Sequence, residues 1–559
     1  MRRITAGAAA AGAMAAGLAL ASWFGCGGGA ASRPPGESPL PLPRATRGYV
    51  LISIDTLRAD HLGCYGYPRP TSSFLDELAR RATLFEEAYA PYPSTLVSHM
   101  SIFTGLYPRE HGVLPPSSVL SPAVETLPEV FQRHGFRTAG FTEGGFVSAR
   151  FGFRRGFDVF VSHERNRDRP VARTFRRGLD FVAGLAPRDR FFLFLHTYAV
   201  HTPYDAPDEY QRLFWPGDPP EDAIPASGPS LIRQNLTGER PRQAVIDWLE
   251  ARYDAGIRQT DDVLRHFFAE LERLGVADQV TVMITADHGE EFMEHGLFNH
   301  TQLYRETLHV PLLVVHPDQR SAARQGGIVQ LVDLAPTLYE LARVKPGRRP
   351  SGASLARRLG PAAAAPRQPA VAATTWSEAQ DGMRAVYRGE HRGLESLLLF
   401  DPPAETWFPR RVAFDAPGGT LAFEARSFEE RRRLSISRGR EPAVTVALTP
   451  EWTPIRVVMA GPERVVLEAD GCAVPDEDTK REPRCYAFQV RGRRLTRIEL
   501  YDVARDPGQV RDLFGERKSA ARGLLADLLA FQPRPVAPVS APPLDPGLEK
   551  SLRALGYLK

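Results

Sequence analysis

The stretch "GYVLISID", residues 48–55, is a run of mostly apolar residues that ends in Asp55. Two later stretches have the same form: "RFFLFL" stands directly before His196, and "QVTVMIT" stands shortly before Asp287 and His288. Continuous apolar runs of this length are typical of strands that are buried on both faces of a parallel sheet. Ligands bind such sheets in the crevice beyond the carboxyl ends of the strands. The three runs therefore predict an α/β fold in which polar residues converge at one edge of the sheet.

The pattern of apolar, polar and turn residues in the remaining sequence predicts its domain organisation. Residues 47–395 alternate apolar runs with amphipathic stretches, which predicts a catalytic domain with a central, mostly parallel sheet and helices on both faces. The helix-like stretches are "SSFLDELARRATLFEEAYA", "ETLPEVFQRHGF" and "ARYDAGIRQTDDVLRHFFAELERLG". Residues 396–492 form short alternating runs between Gly and Pro turns and predict an inserted β-sandwich-like module. Residues 493–559 predict a small C-terminal subdomain with a helical tail.

The first residues have the composition of a targeting segment and not of a folded element. Residues 1–25 join a basic start to an apolar Ala/Leu run, which predicts an export signal. Residues 26–46 are rich in Gly, Ser and Pro and predict a disordered linker. Cleavage after Ala21 and lipidation of Cys26 both stay open, and the alternatives to export are an uncleaved anchor and a disordered start. The expected location is the periplasm or the cell envelope, with a membrane tether if Cys26 is lipidated.

The overall composition is that of a globular protein and gives no case for a nucleic-acid partner. The chain has 559 residues, of which 43% are hydrophobic and 24% charged, and its formal net charge is +4. Because its arginines are spread along the chain, they predict no basic patch for nucleic acid. Cys472 and Cys485 lie close in sequence and can pair in an oxidising compartment. The sequence leaves the oligomeric state open.

The stretch "STLVSHMSIFTG", residues 94–105, predicts a short helix that begins with an anion site. Ser94 is a favoured N-cap residue, and Gly105 is a favoured residue just past a helix end. The free amides and the dipole at a helix N-terminus favour a sulfate or phosphate group, and Thr95 stands at that end. His99 lies one turn further along on the same face.

A divalent cation is predicted next to this helix. Asp55, Asp287 and His288 follow neighbouring strands, and two carboxylates and an imidazole can hold such an ion with a hydroxyl completing its shell. His201 lies in the loop after the second strand, "HTYAVHTPYDAP". A single loop histidine is more often structural, so its role depends on what lies beside it.

From Arg47 to about Gly360, and again from Glu499 to Leu513, the chain resembles the sulfatase family of the alkaline phosphatase superfamily. The matching pieces follow the family's order and include "VLISIDTLRADHLGCYGY", "STLVSHMSIFTGLYPREHGV", "FLFLHTYAVHTPY", "TADHGEEFMEHGLFNHTQLYRETLHVPLLV" and "ELYDVARDP". The resemblance implies the superfamily's fold and an ester substrate, whether a small molecule, a glycan or a lipid.

The resemblance also implies roles for individual residues. The implied metal ligands are Asp55, Thr95, Asp287 and His288. The implied nucleophile is Thr95, with His201 and His300 as its catalytic partners. The implied contacts to the substrate are Arg58, Ser98 and His99, together with the two catalytic histidines.

Five positions depart from the family pattern that the resemblance supplies. Thr95 stands in place of the oxidisable Cys or Ser of Cys-x-Pro-Ser-Arg, Val97 replaces its Pro, and His99 replaces its Arg. Thr56 replaces the second metal-binding Asp, and His300 replaces the sulfate-binding Lys. Sulfatases convert the Cys or Ser to formylglycine, whose hydrate has a second hydroxyl that expels sulfate. Thr95 has one hydroxyl, so its site chemistry leans toward phosphoryl transfer, in which water or an alcohol resolves the covalent ester.

Three functions follow from this sequence. The first is a metal-dependent hydrolase of sulfate or phosphate esters. The second is a phosphoryl-type transferase that modifies an envelope lipid or glycan. The third is an inactive, sulfatase-like protein whose β-rich module binds a glycan. The resemblance implies one divalent cation, which is Ca²⁺ for a sulfatase and Zn²⁺ or Mn²⁺ for a phosphotransferase.

Overall fold

The structure is a computed structural model that describes residues 42–113, 118–162, 171–237, 239–360 and 497–517, together with the strands between 370 and 468 and a few positions near the C-terminus. The predicted export signal, with Ala21 and Cys26, lies outside the described residues. Cys472 and Cys485 lie outside them as well, so their pairing stays a prediction.

Eight strands form a central sheet in the order β11-β2-β10-β7-β1-β6-β4-β5. The strands of the first 330 residues are β1 Gly48–Ile54, β2 Thr83–Tyr89, β3 Ser118–Val119, β4 Arg137–Thr142, β5 Val159–Ser162, β6 Phe191–Thr197, β7 Val280–Thr285, β8 Glu291–Phe292, β9 Phe298–Asn299, β10 His309–Val315 and β11 Ala323–Gln330. Only β10 among these eight runs antiparallel to its neighbours. The predicted mostly parallel sheet is therefore confirmed.

Helices pack on both faces of this sheet. They are α1 Ser73–Leu78, α2 Thr95–Thr104, α3 Pro108–His111, α4 Leu127–Arg133, α5 Val171–Ala183, α6 Asp208–Phe214, α7 Gly228–Thr237, α8 Gln243–Arg273, α9 Arg305–Leu308 and α10 Leu334–Ala342. Successive side chains of β6 point to opposite faces. On one face Leu193 and Leu195 pack against Gly178 of α5. On the other face the Phe194 ring lies 4.8 Å from the Phe103 ring of α2.

The three runs that predicted the fold are strands, and two of the three predicted helices are helices. The first predicted helix is wrong over its second half, because its residues 83–89 form strand β2 between β10 and β11. In the structure Glu87 is buried and forms an ion pair with Arg305 at 2.9 Å, so its charge is neutralised inside the sheet.

The later part of the chain is rich in antiparallel strands. A four-stranded sheet joins β12 Ala370–Thr374, β13 Met383–Arg388, β14 Glu395–Phe400 and β21 Arg497–Asp502, and another joins β15 Arg411–Ala416, β16 Gly419–Phe428, β17 Arg431–Arg438 and β18 Val444–Leu448. Strands β19 Arg456–Met459 and β20 Val465–Glu468 pair with each other, and β22 Val539–Ser540 pairs with β3.

The four-stranded sheet crosses both predicted boundaries of the inserted module, because β13 pairs with β14 and β14 pairs with β21. The domain limits and the sandwich arrangement stay predictions. Within the described residues we find no helix that combines the length and the apolar character needed to cross a bilayer.

Candidate active site

The carboxyl ends of β1, β6 and β7 lie side by side and bring the predicted cation ligands together. Strand β1 pairs in parallel with both β6 and β7, so that Ser53 is level with His196 on one side and with Thr285 on the other. Asp55, Asp287 and His288 follow these positions and are fully buried. One ligand atom from each of the three lies within 4.8 Å of the others.

The hydrogen bonds of His288 favour a cation at this place. Its Nδ1 donates to Gly289 O at 3.0 Å, so the proton of the neutral ring is on Nδ1 and Nε2 carries a lone pair. This Nε2 lies 3.3 Å from Asp287 Oδ2 and 3.4 Å from Thr95 Oγ1. Asp287 Oδ2 is buried and accepts no hydrogen bond from the described residues. Two lone pairs that face each other at this distance repel, and a divalent cation between them would reverse the sign of the interaction.

The pKa values of Asp287 and His288 also favour a cation at this place. Burial, followed by the neighbouring Asp55 carboxylate, raises the pKa of Asp287 to about 7. Burial lowers the pKa of His288 to about 4, so the imidazole is neutral at pH 7. Two close carboxylates with a neutral imidazole form a donor set suited to a divalent ion. The predicted ligand residues therefore fit the cation that the resemblance implies.

Helix α2 brings the predicted nucleophile to this cluster. Ser94 is its N-cap residue with an extended backbone, and Gly105 ends it in the left-handed conformation, both as the sequence predicts. Thr95, the first residue of the helix, is buried at its positive end. The Ser98 hydroxyl donates to Asp287 O at 2.7 Å and ties the first turn of the helix to the end of β7. Contact of Ser98 with a substrate stays a prediction.

His99 lies beneath the first turn of α2 and is fully buried. Its Nδ1 donates to Thr95 O at 2.8 Å, and its Nε2 accepts from Ser53 Oγ at 2.9 Å. Burial lowers its pKa to about 3, so the ring is neutral. Because both ring nitrogens have partners inside the protein, the structure gives His99 an internal role and leaves its contact with a substrate anion a prediction.

Three histidines share one hydrogen-bond pattern beside Thr95. Like His288, His201 donates from Nδ1 to a backbone carbonyl, that of Thr202 at 2.7 Å, and His300 donates to Pro93 O at 3.1 Å. The His300 ring lies 4.2 Å from the His288 ring and 5.5 Å from the His201 ring. The pattern directs the Nε2 atoms of all three rings away from those carbonyls, and it brings the two predicted catalytic histidines together.

Arg58 is held in ion pairs. Its guanidinium donates to Asp60 at 2.7 Å, to the Glu294 carboxylate, and to Glu290 O at 3.0 Å. The side chain is almost fully buried among these groups. A contact between Arg58 and a substrate anion would compete with two carboxylates and stays a prediction.

The sequence analysis assigned no role to two residues that shape the site. His196 Nε2 lies 3.1 Å from Asp55 Oδ2. Its position at the end of the second apolar run of the sequence was the available signal, since Asp55 and Asp287 follow the other two runs. Tyr253 in the middle of α8 donates to Thr56 O at 2.7 Å and accepts from the Arg58 backbone N–H at 2.8 Å. Nothing in the surrounding helix sequence distinguishes this tyrosine from a core residue.

Comparison with known proteins places this geometry in a family. The sulfatase family profile matches residues 47–344. Human arylsulfatase K is 24% identical over 325 residues, which cover 50% of this chain and 60% of that protein. An arylsulfatase of Clostridium perfringens is 23% identical over 360 residues, which cover 53% of this chain and 74% of that protein. The chain thus spans about 60% of the length of the arylsulfatase K relatives.

Solved structures share the fold at low sequence identity. The structure of BT4656 in complex with its substrate D-glucosamine-2-N,6-O-disulfate has a TM-score of 0.57 and 15% identity, covering 88% of this chain and 98% of that one. The phosphonate monoester hydrolase of Agrobacterium radiobacter has a TM-score of 0.52 and 16% identity, covering 89% and 100%. With the profile match over more than half of the sequence, the chain belongs to the sulfatase family.

Proposed function

We propose that this chain is a metal-dependent hydrolase of sulfate or phosphate esters with Thr95 as its nucleophile. The observation that carries the proposal is the position of the Thr95 hydroxyl. It lies at the N-terminus of α2, 3.4 Å from His288 Nε2, beside two carboxylates at adjacent strand ends. The names of the relatives, which include arylsulfatases and a phosphonate monoester hydrolase, support the same reaction class.

The residues that would hold the cation are Asp55, Thr95, Asp287 and His288. When bound, the ion lowers the pKa of a coordinated hydroxyl and neutralises charge on the reacting oxygens. The family's second metal-binding carboxylate is Thr56 here, so the set has only two carboxylates beside one imidazole. Ca²⁺ takes six to eight oxygen ligands, whereas imidazole suits transition metals. We therefore propose Zn²⁺ or Mn²⁺ ahead of Ca²⁺.

The chain's own groups divide the remaining work. The Thr95 hydroxyl releases its proton to solvent and regains one when the ester is cleaved. Its Oγ forms a bond to phosphorus or sulfur while the bond from that atom to the ester's leaving oxygen breaks, and the leaving oxygen takes a proton from His201 or His300. The same histidine then accepts a proton from the water that cleaves the Thr95 ester. Burial lowers the pKa of His300 to about 3, so the ring is neutral at pH 7 and can accept a proton. A bound anion raises the pKa of a neighbouring imidazole, which makes the acid step accessible.

A phosphorus centre fits the single hydroxyl of Thr95 better than a sulfur centre. A covalent sulfate on formylglycine is expelled by the second hydroxyl of the hydrate, and threonine has none. Water can cleave a covalent phosphate by attack at phosphorus, and an alcohol can do so in its place. An acceptor alcohol on an envelope lipid or glycan would make the protein a transferase, and export of the chain, which we also propose, would bring it to such acceptors. Retention of Asp55, Asp287, His288 and His201 argues against an inactive binding protein.

Parallel assays test the proposal. Purified protein is supplied with Zn²⁺, Mn²⁺ or Ca²⁺ and offered an aryl sulfate, an aryl phosphate monoester, an aryl phosphodiester and an aryl phosphonate monoester. We expect turnover of a phosphorus ester that falls at least about 1,000-fold in Thr95→Ala. The matched control is Thr104→Ala, because Thr104 ends the same helix and its hydroxyl donates to Met100 O at 2.7 Å, away from the cluster.

The outcomes separate the alternatives. A phosphate trapped on Thr95, found by mass spectrometry of protein quenched during turnover, would support the covalent route. Full activity in Thr95→Ala would overturn the nucleophile, and sulfate turnover lost in that variant would overturn the preference for phosphorus. Product that appears only when an alcohol is added would favour the transferase.

A further inference from the structure

We infer that His196 is a positioning residue for the cation site, which holds the Asp55 carboxylate in place by a hydrogen bond from its Nε2. The inference rests on the proposed function in one respect, namely that Asp55 is a cation ligand. His196 is the sixth residue of β6 and is fully buried. Its Nε2 lies 3.1 Å from Asp55 Oδ2, a normal length for an N–H···O hydrogen bond.

The other nitrogen of the ring decides which atom carries the proton. His196 Nδ1 is buried and has no hydrogen-bond partner among the described residues. A proton on Nδ1 would be buried without an acceptor, and the lone pair of Nε2 would then face a carboxylate oxygen. The opposite tautomer places the proton on Nε2, where Asp55 Oδ2 accepts it. Leaving Nδ1 buried without a partner costs free energy, and the hydrogen bond from Nε2 to Asp55 offsets that cost.

This hydrogen bond restricts the rotation of the Asp55 carboxylate. With Oδ2 held by His196, the position of Oδ1 is fixed as well. Partners that orient ligands in this way are a general feature of protein metal sites, and their loss weakens metal binding. The usual case is a histidine ligand held by a carboxylate. Here the roles are exchanged, because the carboxylate is the ligand and the histidine is its partner.

His99 couples this arrangement to the nucleophile helix. The His99 ring meets the His196 ring edge-on, with centroids 4.8 Å apart. His99 also accepts from Ser53, which is level with His196 in the sheet, and donates to Thr95 O. The two histidines, in edge-on contact, therefore connect the Asp55 carboxylate to the first turn of α2. This is the place where the family has an arginine, so the pair supplies the packing without a fixed charge.

An alternative reading makes His196 a ligand of a second ion. One ligand atom each from Asp55, His99 and His196 lies within 4.8 Å of the others. We favour the positioning role because both nitrogens of His99 already have hydrogen-bond partners, and a second ion would have to break one of these bonds. The two readings differ in the number of ions that the chain binds.

Titration of the metal-free full chain with Zn²⁺ and with Mn²⁺ by calorimetry tests the inference. His196→Phe keeps the ring shape next to the Phe194 and Tyr198 rings and removes the donor. We expect metal affinity to fall about 10- to 100-fold in this variant. His196→Gln restores an N–H at the position of Nε2, and we expect it to recover most of the affinity. The wild type should bind one ion at this site.

His111 provides a matched control. It is a buried histidine that, like His196, carries its proton on Nε2, which faces Ser101 Oγ at 3.1 Å, while its Nδ1 accepts from the Val113 backbone at 3.1 Å. His111→Phe and His111→Gln should leave metal affinity at the wild-type value, whatever their effect on the melting temperature.

Unchanged affinity in His196→Phe, or equal affinities in the Phe and Gln variants, would overturn the inference. Two ions in the wild type and one in His196→Phe would also overturn it, because His196 would then be a ligand. A wild type that shows the expected metal affinities but turns over no ester would reject the proposed hydrolase and leave the positioning role standing. Turnover that depends on Thr95, with unchanged metal affinity in His196→Phe, would do the reverse.

Discussion

Two buried carboxylate–imidazole pairs differ in how completely their hydrogen-bonding groups are satisfied. In the helix pair, Asp254 of α8 accepts from His61 on one oxygen and from Tyr67 and Arg69 on the other, each at 2.9 Å. In the strand-end pair, His196 donates to Asp55 and its second nitrogen has no partner among the described residues. Buried polar groups are normally satisfied, so an exception calls for a reason. The comparison indicates that the helix pair stabilises the fold and that the strand-end pair serves the site.

The largest effect that we expect on the strand-end side follows from Asp287→Asn. The substitution keeps the shape of the side chain and removes one charge from the cation site, so we expect ester turnover to fall on the order of 10⁴-fold. Stability of the metal-free protein should not fall, because Asp287 Oδ2 accepts no hydrogen bond from the described residues and burial, with the Asp55 charge, raises its pKa. Turnover assays and urea unfolding in the presence of a chelator measure both quantities. A marked loss of stability in metal-free Asp287→Asn would show that the strand-end residues also stabilise the fold, contrary to the distinction drawn above.

Asp254→Ala should have the opposite signature. It leaves three donors around a fully buried position without their acceptor, and removing one partner of a buried ion pair costs about 3–5 kcal/mol. We expect that loss in the free energy of unfolding from urea titration, with metal affinity of the folded protein unchanged. Asp262→Ala, on the same helix but half-exposed, is the control and should cost under about 1 kcal/mol. A loss of metal affinity in Asp254→Ala would show that the helix pair also shapes the site.

A third carboxylate–imidazole pair, Glu306 and His295, is expected to make the stability of the fold depend on pH. His295 contacts Glu306 through Nδ1 and Gln509 O through Nε2. Burial lowers the pKa of His295, but the hydrogen bond and the charge of Glu306 outweigh it and raise the pKa to about 9. A histidine whose pKa is raised on folding contributes stability below its unfolded pKa, and that stability is lost as pH rises through the folded value.

Between about pH 6.5 and 9 we therefore expect the free energy of unfolding to fall by about 3 kcal/mol more in the wild type than in His295→Gln. Urea unfolding at a series of pH values measures the difference between the two proteins. Parallel curves over this range would contradict the assignment.

The sequence predicted the parts of this molecule that depend on local pattern. Three apolar runs identified the strands at the centre of the sheet, and the polar residues shortly after two of those runs, Asp55, Asp287 and His288, lie together in the structure. The helix of Thr95 was predicted with both of its ends, because Ser94 and Gly105 have local preferences. The sequence did not predict contacts between residues that lie far apart along the chain. The sequence of β2 has the pattern of a helix, and the strand depends on Arg305, which neutralises the buried Glu87. The hydrogen bond from Tyr253 to Thr56 joins residues 197 positions apart. Such contacts depend on tertiary packing, which local periodicity does not encode.

The smallest effect that we expect concerns Thr56, where the family has its second metal-binding Asp. Thr56 has φ = 58°, a conformation that a β-branched residue rarely adopts, and its backbone N–H donates to Asp287 Oδ1 at 3.3 Å. Thr56→Asp would add a carboxylate beside the cation site and would also suit this backbone conformation better. We expect about tenfold tighter Ca²⁺ binding relative to Zn²⁺, since each added oxygen ligand favours the ion that takes more of them.

Thr56→Asn is the control, because it suits the same conformation without adding charge. If both variants gain stability but only Asp changes the Ca²⁺ to Zn²⁺ ratio in calorimetry, then the missing carboxylate sets the metal preference of the site. If the two variants bind both ions alike, Thr56 does not face the ion, and the preference for Zn²⁺ or Mn²⁺ must come from His288 and Thr95.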